Sequence, residues 1–267
     1  MNSARMRLAV ISDIHGNLTA LEAVLADYEA VGGADHLWVL GDLAAFGARP
    51  VECIQRVKAL YDAAAASEDE AVRNALRVIR GNNDRYFVTG ARPPVKPAED
   101  GESLAALVTN VRGRDLGLNW GAAQLGFEEY AFLRKLSGEC ELDVHGFGGV
   151  IGYHGTPGDD EGLLTPTMSD EEAADALLDR EGRLAIGGHI HRQMDRQLGG
   201  WRAINVGSVG MSFDQPGKAQ WGLFTFEDGR VTVDLRNIPY DYEAAIADLA
   251  AVGYPAVEWV APKLRPA

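Results

Sequence analysis

Cysteine, basic residues and long apolar runs are all scarce in this chain, and each scarcity excludes a class of protein. The two cysteines among 267 residues, Cys53 and Cys140, cannot form a disulfide framework and are not spaced as a metal motif. We therefore expect them to be buried apolar side chains in a reducing, cytoplasmic compartment. No apolar run approaches the roughly 18–20 residues that span a bilayer, so we expect no membrane partner.

The shortage of basic residues limits the partners of the protein. The chain has 25 Lys and Arg against 39 Asp and Glu, a formal net charge of −14. Tight binding of long nucleic acids depends on several Lys and Arg that neutralise phosphates, so we expect no long nucleic acid as a partner. The negative net charge is still compatible with a small anionic substrate, provided that one site is locally positive. The sequence specifies no oligomeric state.

Strand-like apolar runs alternate with helical periodicity in the first third of the chain. The runs lie at 7–12, 37–40 and 78–80. Helices are predicted between them, at about 17–31 and 50–66, and this alternation implies parallel strands joined by right-handed crossovers. After about residue 140 seven short strands follow one another, with one helix at about 170–180 between them and another at about 241–252 after them. These later strands predict a second sheet packed on the first.

Residues 86–120 break this order. Prolines at 93, 94 and 97 and glycines at 101, 113 and 117 predict an irregular, cap-like insertion within a single domain spanning 1–267. The insertion and its flanks carry basic and aromatic side chains, namely Arg85, Tyr86, Arg92, Arg112, Arg114 and Trp120. They either overhang a site and select its ligand or belong to a solvated loop.

Seven residues of metal-ligand type stand just after strand-like runs. They are Asp13, His15, Asp42, Asn82, His154, His189 and His191. The carboxyl ends of parallel strands line one crevice of an open sheet, where ligands bind. Taken singly, each residue has a plainer interpretation as a turn, a helix cap or a core histidine. The ordered set, with four of the six histidines beside or near glycine, is hard to explain by packing and indicates a metal site.

The motifs that contain these residues resemble those of the calcineurin-like metallophosphoesterase superfamily, and in particular its small prokaryotic phosphodiesterase-like members. They are Asp13-Ile14-His15, Gly41-Asp42, Gly81-Asn82-Asn83-Asp84, His154-Gly155 and Gly188-His189-Ile190-His191. The resemblance covers about residues 6–240. It implies an α/β fold, a four-layer α/β/β/α sandwich of two packed mixed sheets flanked by helices, with a dinuclear metal centre.

The resemblance also implies how the ligands divide between two metals. Asp13, His15 and His191 would hold one metal, Asn82, His154 and His189 would hold the other, and Asp42 would bridge both. Nitrogen and oxygen donors without thiolate favour Mn²⁺, Fe, Zn²⁺ or Co²⁺, and we expect two divalent ions, Mn²⁺ first. The two ions carry more charge than the two carboxylates, so an anionic ester is still attracted.

The activity that the resemblance implies is hydrolysis of small phosphoesters, with diesters slightly preferred, by a hydroxide that bridges the two metals. The implied catalytic set contains Asn83 and Asp84, and Asn83 departs from the family pattern. Many members carry a histidine where Asn83 stands, and it is thought to protonate the leaving oxygen. Asparagine cannot do this, and Asp84 would lose the histidine that it orients. We expect a preference for good leaving groups, or protonation by water or another residue; alternatively, Asn83 is a plain turn residue.

Three functions stay open at this point. The first is a small-molecule phosphodiesterase, or a phosphomonoesterase of broad specificity. The second is a non-catalytic interaction module on the same fold, against which stands the fact that every ligand position is filled. The third is a nuclease acting on DNA or RNA ends, which the charge of −14 disfavours.

Overall fold

The structure is a computed structural model that describes residues 5–266. Its strands are β1 (Met6–Ile11), β2 (His36–Val39), β3 (Leu76–Val78), β4 (Glu139–Val144), β5 (Gly148–Tyr153), β6 (Leu184–Gly187), β7 (Gln193–Leu198), β8 (Trp201–Val206), β9 (Lys218–Glu227) and β10 (Arg230–Pro239). Its helices are α1 (Leu18–Ala30), α2 (Pro50–Ala65), α3 (Glu70–Ala75), α4 (Asn82–Thr89), α5 (Gly101–Gln124), α6 (Phe127–Lys135), α7 (Asp170–Asp175), α8 (Tyr242–Ala251) and α9 (Val257–Leu264).

These strands form two mixed sheets of five strands each within the described residues. The first has the order β10-β9-β1-β2-β3 and the second the order β4-β5-β6-β8-β7. β1, β2 and β3 are parallel neighbours, as the alternation of strands and helices predicted. The carboxyl ends of these three strands therefore lie side by side at one edge. None of the helices between residues 5 and 266 is both long and apolar enough to cross a membrane.

Side-chain alternation along β1 explains how the layers stack. Leu8 and Val10 point to one face and join a core with Trp38, Val150 and other residues of both sheets. Ala9 and Ile11 point to the other face and pack with side chains of α1 and α2. The second sheet is covered on its outer face by α7. Helices thus flank both sheets, and the expected four-layer α/β/β/α architecture is confirmed.

The assignment of all later strands to the second sheet is wrong for the last two. β9 pairs antiparallel with β1, with Leu8 opposite Phe224, and β10 pairs with β9. A two-residue turn at Asp228-Gly229 joins β9 to β10, and both turn residues have positive φ, as a tight hairpin requires. The chain therefore returns to the first sheet after it completes the second.

The prediction of an irregular insertion at 86–120 is also largely wrong. α4 continues to Thr89, only 90–100 is irregular, and α5 occupies 101–124. The prolines lie in the irregular part, but Gly113, Gly117 and Gly121 lie inside α5 at intervals of four residues. They form one face of the helix, which permits close approach of aromatic rings. The interpretation of Gly113 and Gly117 as markers of irregular structure is therefore wrong.

This close packing predicts the effect of Gly113→Ala. A Cβ atom at Gly113 would lie 2.3 Å from Cγ of Trp259 on α9, so the ring or the helix must move. We expect the free energy of unfolding to fall by about 1–3 kcal/mol. The matched control is Gly101→Ala on the same helix, where nothing lies within 4 Å of the added Cβ. Equal denaturation midpoints for the two variants would contradict the packing role of Gly113.

Candidate metal centre

All seven predicted ligand residues meet at the carboxyl ends of the strands. Asp13 and His15 follow β1, Asp42 follows β2, and Asn82 is the first residue of α4 just after β3. The three remaining histidines follow strands β5 and β6 of the second sheet, namely His154, His189 and His191. Six of the seven are buried and His189 is partly exposed, so the cluster lies at the junction of the two sheets.

Three of these residues, Asp13, His15 and His191, meet at Nε2 of His191. This atom lies 3.2 Å from Oδ1 of Asp13 and 2.9 Å from Nε2 of His15. Nε2 of His15 is in turn 3.6 Å from the same Asp13 oxygen. Asp13, His15 and His191 are therefore close enough to share one cation.

A second subset surrounds Oδ1 of Asn82. This amide oxygen lies 3.0 Å from Nε2 of His154 and 3.1 Å from Nδ1 of His189. Nε2 of His154 is also 3.3 Å from Oδ2 of Asp42. The structure thus brings together the three residues expected to hold a second cation.

Asp42 lies between the two subsets. Its Oδ2 atom is 3.7 Å from His15 Nε2 in the first subset and 3.3 Å from His154 Nε2 in the second. The same carboxylate accepts two hydrogen bonds from Asn83, one from the backbone N–H at 2.8 Å and one from the side-chain amide at 2.5 Å. Asn83 is therefore more than a turn residue, because its amide contacts a candidate metal ligand.

Asp84 lies outside this group of facing side chains. Its buried carboxylate accepts hydrogen bonds from the backbone N–H groups of Gly81, Asp42 and Leu43, at 2.8–3.0 Å. Burial, and then the charge of Asp42, raise the pKa of Asp84 to about 7. The Asp84 carboxylate thus ties the Asp42 turn to the start of α4, and its oxygens face backbone N–H groups rather than the predicted metal ligands.

Backbone carbonyls orient two of the histidine rings. Nδ1 of His154 donates to the Leu40 carbonyl at 2.7 Å, and Nδ1 of His191 donates to the Met211 carbonyl at 2.7 Å. A carbonyl oxygen only accepts, so these Nδ1 atoms carry hydrogen and each ring turns its Nε2 toward the carboxylates. Such a partner on the far nitrogen is the usual support of a metal-bound histidine.

The backbone at these turns is strained in a way that aims the side chains. Five of the seven predicted ligands have positive φ: Asp13, His15, Asp42, His189 and His191, at 51–69°. Non-glycine residues seldom adopt this region, and each instance costs about 1–3 kcal/mol. Gly41 and Gly81 bring two of the turns together, because a Cβ atom at Gly41 would lie 2.2 Å from the Gly81 nitrogen. The turns that carry these residues are thus less stable than relaxed turns, and their conformation makes the ligand side chains converge.

The charges of the cluster are set by mutual contact. Burial raises the pKa of Asp42, but His154 and His15 outweigh it and hold this pKa at about 2. Burial also raises the pKa of Asp13, which the facing His191 and His154 nevertheless bring well below its usual value. Burial lowers the pKa of His154, yet Asp42 and Asp13 raise it to about 10. Burial and the neighbouring His154 lower the pKa of His189 to about 4.

One buried atom indicates that the cluster suits a cation. Oδ1 of Asp13 has no hydrogen-bond partner among residues 5–266. Leaving a carboxylate oxygen buried and unsatisfied is costly, and a coordinated cation would remove that cost. The donor set of carboxylate, amide and imidazole without thiolate matches Mn²⁺, Fe, Zn²⁺ or Co²⁺. The residues present therefore fit divalent metal ions.

A cleft of about 370 Å³ opens beside Asn82 and Asn83. Of the insertion residues considered as ligand-selecting, Arg114 lines this cleft. Arg85 instead pairs with Asp160 and Glu161 in the loop after β5. Arg92 and Arg112 do not line this cleft either.

Sequence reasoning missed the aromatic side chains around the centre. Phe46 lies 5.3 Å from the His15 ring, and Phe213 stacks on His191 at 4.6 Å, both measured between ring centroids. Trp259 of α9 contacts Phe46 at 5.4 Å. None of these residues belongs to a motif, and no sequence signal linked α9 to the strand ends.

The protein is an α/β protein with two mixed sheets. Carboxylates, an amide and histidines meet at the strand ends and form a candidate divalent-metal centre. The sequence profile of the calcineurin-like phosphoesterase superfamily domain matches residues 6–229. The chain belongs to this family. Membership in this family supports a phosphoesterase activity, which is a hydrolase activity, and implies that the protein binds divalent metal ions.

Two curated proteins and one solved structure illustrate what the chain is similar to. The chain is 29% identical to an uncharacterized protein of Methanocaldococcus jannaschii, over 96% of each chain. It is 32% identical to the symmetrical bis(5′-nucleosyl)-tetraphosphatase of Citrobacter koseri over 83 residues, which are 31% of this chain and 25% of that protein. Among solved structures, a metallophosphoesterase from Sphaerobacter thermophilus shares the fold, with a TM-score of 0.69, 24% identity and coverage of 97% of this chain and 98% of that one.

Proposed function

We propose that this protein hydrolyses small phosphoesters, with some preference for diesters, at a centre of two divalent cations, Mn²⁺ being the best candidate. The observation that carries the proposal is the position of Asp42 between two sets of ligands. Asp13, His15 and His191 would hold one cation, and Asn82, His154 and His189 the other. Two cations at such a centre lower the pKa of a water and neutralise phosphoryl oxygens during in-line attack.

The protein's own residues prepare this chemistry before any substrate arrives. Leu40 and Met211 carbonyls fix the rings of His154 and His191, and Asp84 fixes the turn that carries Asp42. Asn83 places an amide N–H beside Asp42, where it can also donate to a phosphate oxygen. Asn83 has no proton to give to a leaving group, which favours esters whose leaving groups need none.

Metal content and chelation test this function directly. We expect about two Mn²⁺ per chain after incubation and dialysis, because the cluster offers two sets of ligands. Hydrolysis of bis(p-nitrophenyl) phosphate should disappear with a chelator and return with Mn²⁺, while circular dichroism shows that the fold persists. Activity that survives complete removal of metal would refute the proposal.

A substrate panel separates the remaining alternatives. Aryl monoesters and diesters, cyclic nucleotides and a dinucleoside tetraphosphate, the substrate in the name of the Citrobacter relative, would be compared under the same conditions. Higher kcat/KM for diesters supports the stated preference, and higher kcat/KM for monoesters supports a phosphatase. Metal binding without hydrolysis of any ester would favour an interaction module. The net charge of −14 disfavours long nucleic acids as substrates. Binding to a nucleic-acid backbone weakens steeply as the salt concentration rises, and we expect no such loss in the hydrolysis of small esters.

A further inference from the structure

The cleft beside Asn82 and Asn83 is built from parts of the chain outside the strand-end motifs. Its walls come from the irregular stretch 93–96, from α5 between Leu107 and Arg114, and from Trp259 of α9. α9 lies beyond the part of the chain that the family profile matches, which ends at residue 229. This cleft therefore adds to the metal centre something that the ligand motifs do not supply.

Much of the wall of the cleft is apolar. Leu107 and Val111 face it from successive turns of α5, and Pro93, Pro94 and Val95 face it from the irregular stretch. A phosphoryl group gains nothing from such walls, since it is polar and charged. An apolar organic group attached to the phosphate gains from burial there.

Flat rings continue from this cleft across the metal centre. Trp259, Phe46, His15, His191 and Phe213 follow one another with centroid separations of 5.4, 5.3, 4.7 and 4.6 Å. The ring of Trp259 is fixed between Gly113, where no Cβ would fit, and Lys263, whose Nζ lies 3.6 Å from the ring centroid. Of these five rings, those of Phe46 and Trp259 line the cleft, and fixed aromatic side chains there favour contact with a planar ligand group.

Polar groups in the same cleft suit an anionic ligand with hydrogen-bonding edges. Arg114 and Lys96 contribute positive charge in a protein whose net charge is −14. The Arg114 charge is partly balanced by Asp115, whose carboxylate lies 2.9 Å from Nε. Asn110 adds an amide that can both donate and accept. The volume of about 370 Å³ is within the range of small-molecule sites.

We infer that this cleft binds a planar aromatic group of nucleobase size, carried by the anionic phosphoester whose phosphate lies at the metal centre. The inference rests on the proposed function, since the phosphate must bind beside Asn82 and Asn83. It assigns the role of specificity determinants to Val111, Leu107 and Trp259. These residues select the ester group and take no part in bond cleavage.

Equilibrium binding to the Mn²⁺-loaded protein tests the inference, with an assay of released phosphate to confirm that each ligand stays intact during the titration. Calorimetry would compare AMP, phenyl phosphate and ribose 5-phosphate, which share a phosphate but differ in the attached group. We expect AMP to bind at least about tenfold more tightly than ribose 5-phosphate, because burial of the base against the apolar and aromatic lining contributes that much or more. Phenyl phosphate distinguishes a general aryl site, where it would match AMP, from a site sized for a nucleobase, where it would fall between the other two.

The variant Val111→Gln should remove most of the AMP advantage and leave ribose 5-phosphate binding unchanged. The matched control is Val108→Gln, the same exchange on the same helix at a position that is 55% exposed and outside the cleft lining. Equal affinity of AMP and ribose 5-phosphate for the unmodified protein, or equal effects of the two exchanges, would overturn the inference. Either result could coincide with normal hydrolysis of bis(p-nitrophenyl) phosphate, so it would leave the proposed function intact.

Discussion

Asp42→Asn is expected to lower kcat/KM for bis(p-nitrophenyl) phosphate by more than about 100-fold, and to reduce the Mn²⁺ content of the protein. Loss of a residue that only supports a metal ligand typically lowers activity or metal affinity by about 10–100-fold. Asp42 is itself a predicted ligand and lies within 3.7 Å of a histidine in each ligand set, so we expect a larger effect. The exchange removes the anionic oxygen shared by both sets. It also places a second amide N–H opposite that of Asn83, where the carboxylate now accepts.

The matched control for this variant is Asp62→Asn on α2. Asp62 is half exposed and pairs with Lys58 at 2.6 Å, and such surface pairs contribute little to stability. Both variants lose one negative charge by the same exchange, so a general electrostatic effect would appear in both. Mass spectrometry of the metal content and steady-state kinetics would be measured together. Full activity and unchanged metal content in Asp42→Asn would show that this carboxylate does not join the two sets.

Asn83→His is expected to change the dependence of the rate on the leaving group. An imidazole here would lie beside Asp42 at the cleft wall, since the Asn83 backbone is anchored by its 2.8 Å hydrogen bond to that carboxylate. A positioned general acid accelerates by about 10²–10⁴-fold. We expect the lower end for an alkyl diester, because the three backbone bonds of Asp84 leave it poorly placed to orient a new ring. An aryl diester needs no protonation and should not gain.

The measurement is kcat/KM for glycerophosphocholine, an alkyl diester, and for bis(p-nitrophenyl) phosphate, an aryl diester. Asn83→Ala is the companion variant, since it also loses the amide contact to Asp42 but supplies no acid. A selective gain with alkyl esters in Asn83→His alone supports the missing-acid explanation. Equal changes for both esters would reject it and leave Asn83 with only its contact to Asp42.

Much of the candidate site could be read from the order of residue types along the chain. A carboxylate or amide after each of β1, β2 and β3 must lie at one edge, because parallel neighbouring strands end on the same side. That argument places Asp13, Asp42 and Asn82 without coordinates. The sequence grouped the histidines of the second sheet with them by their positions after strand-like runs. The division of all seven between two metals came only through the family resemblance, since no local rule fixes how two sheets face each other.

The role of Asp84 and the shape of the cleft could not be read in this way. The sequence placed Asp84 next to Asn83 and suggested a shared task, but the side chains of successive residues point in different directions at a helix start. The structure turns Asp84 inward to three backbone N–H groups while Asn83 faces Asp42. Trp259 lies about 150 residues from Gly113 along the chain, a separation that no periodicity can bridge.

The sequence alone determined the strands, the parallel direction of β1, β2 and β3 and the set of candidate metal ligands, because these follow from local periodicity and from chain direction. Tertiary structure decided the return of β9 and β10 to the first sheet, the helical form of 101–124 and the aromatic cleft that α9 completes. In each of these cases the deciding contact joins residues distant in the chain. A glycine in α5 breaks a helix or admits a ring depending on what packs against it, and only the folded chain specifies that neighbour.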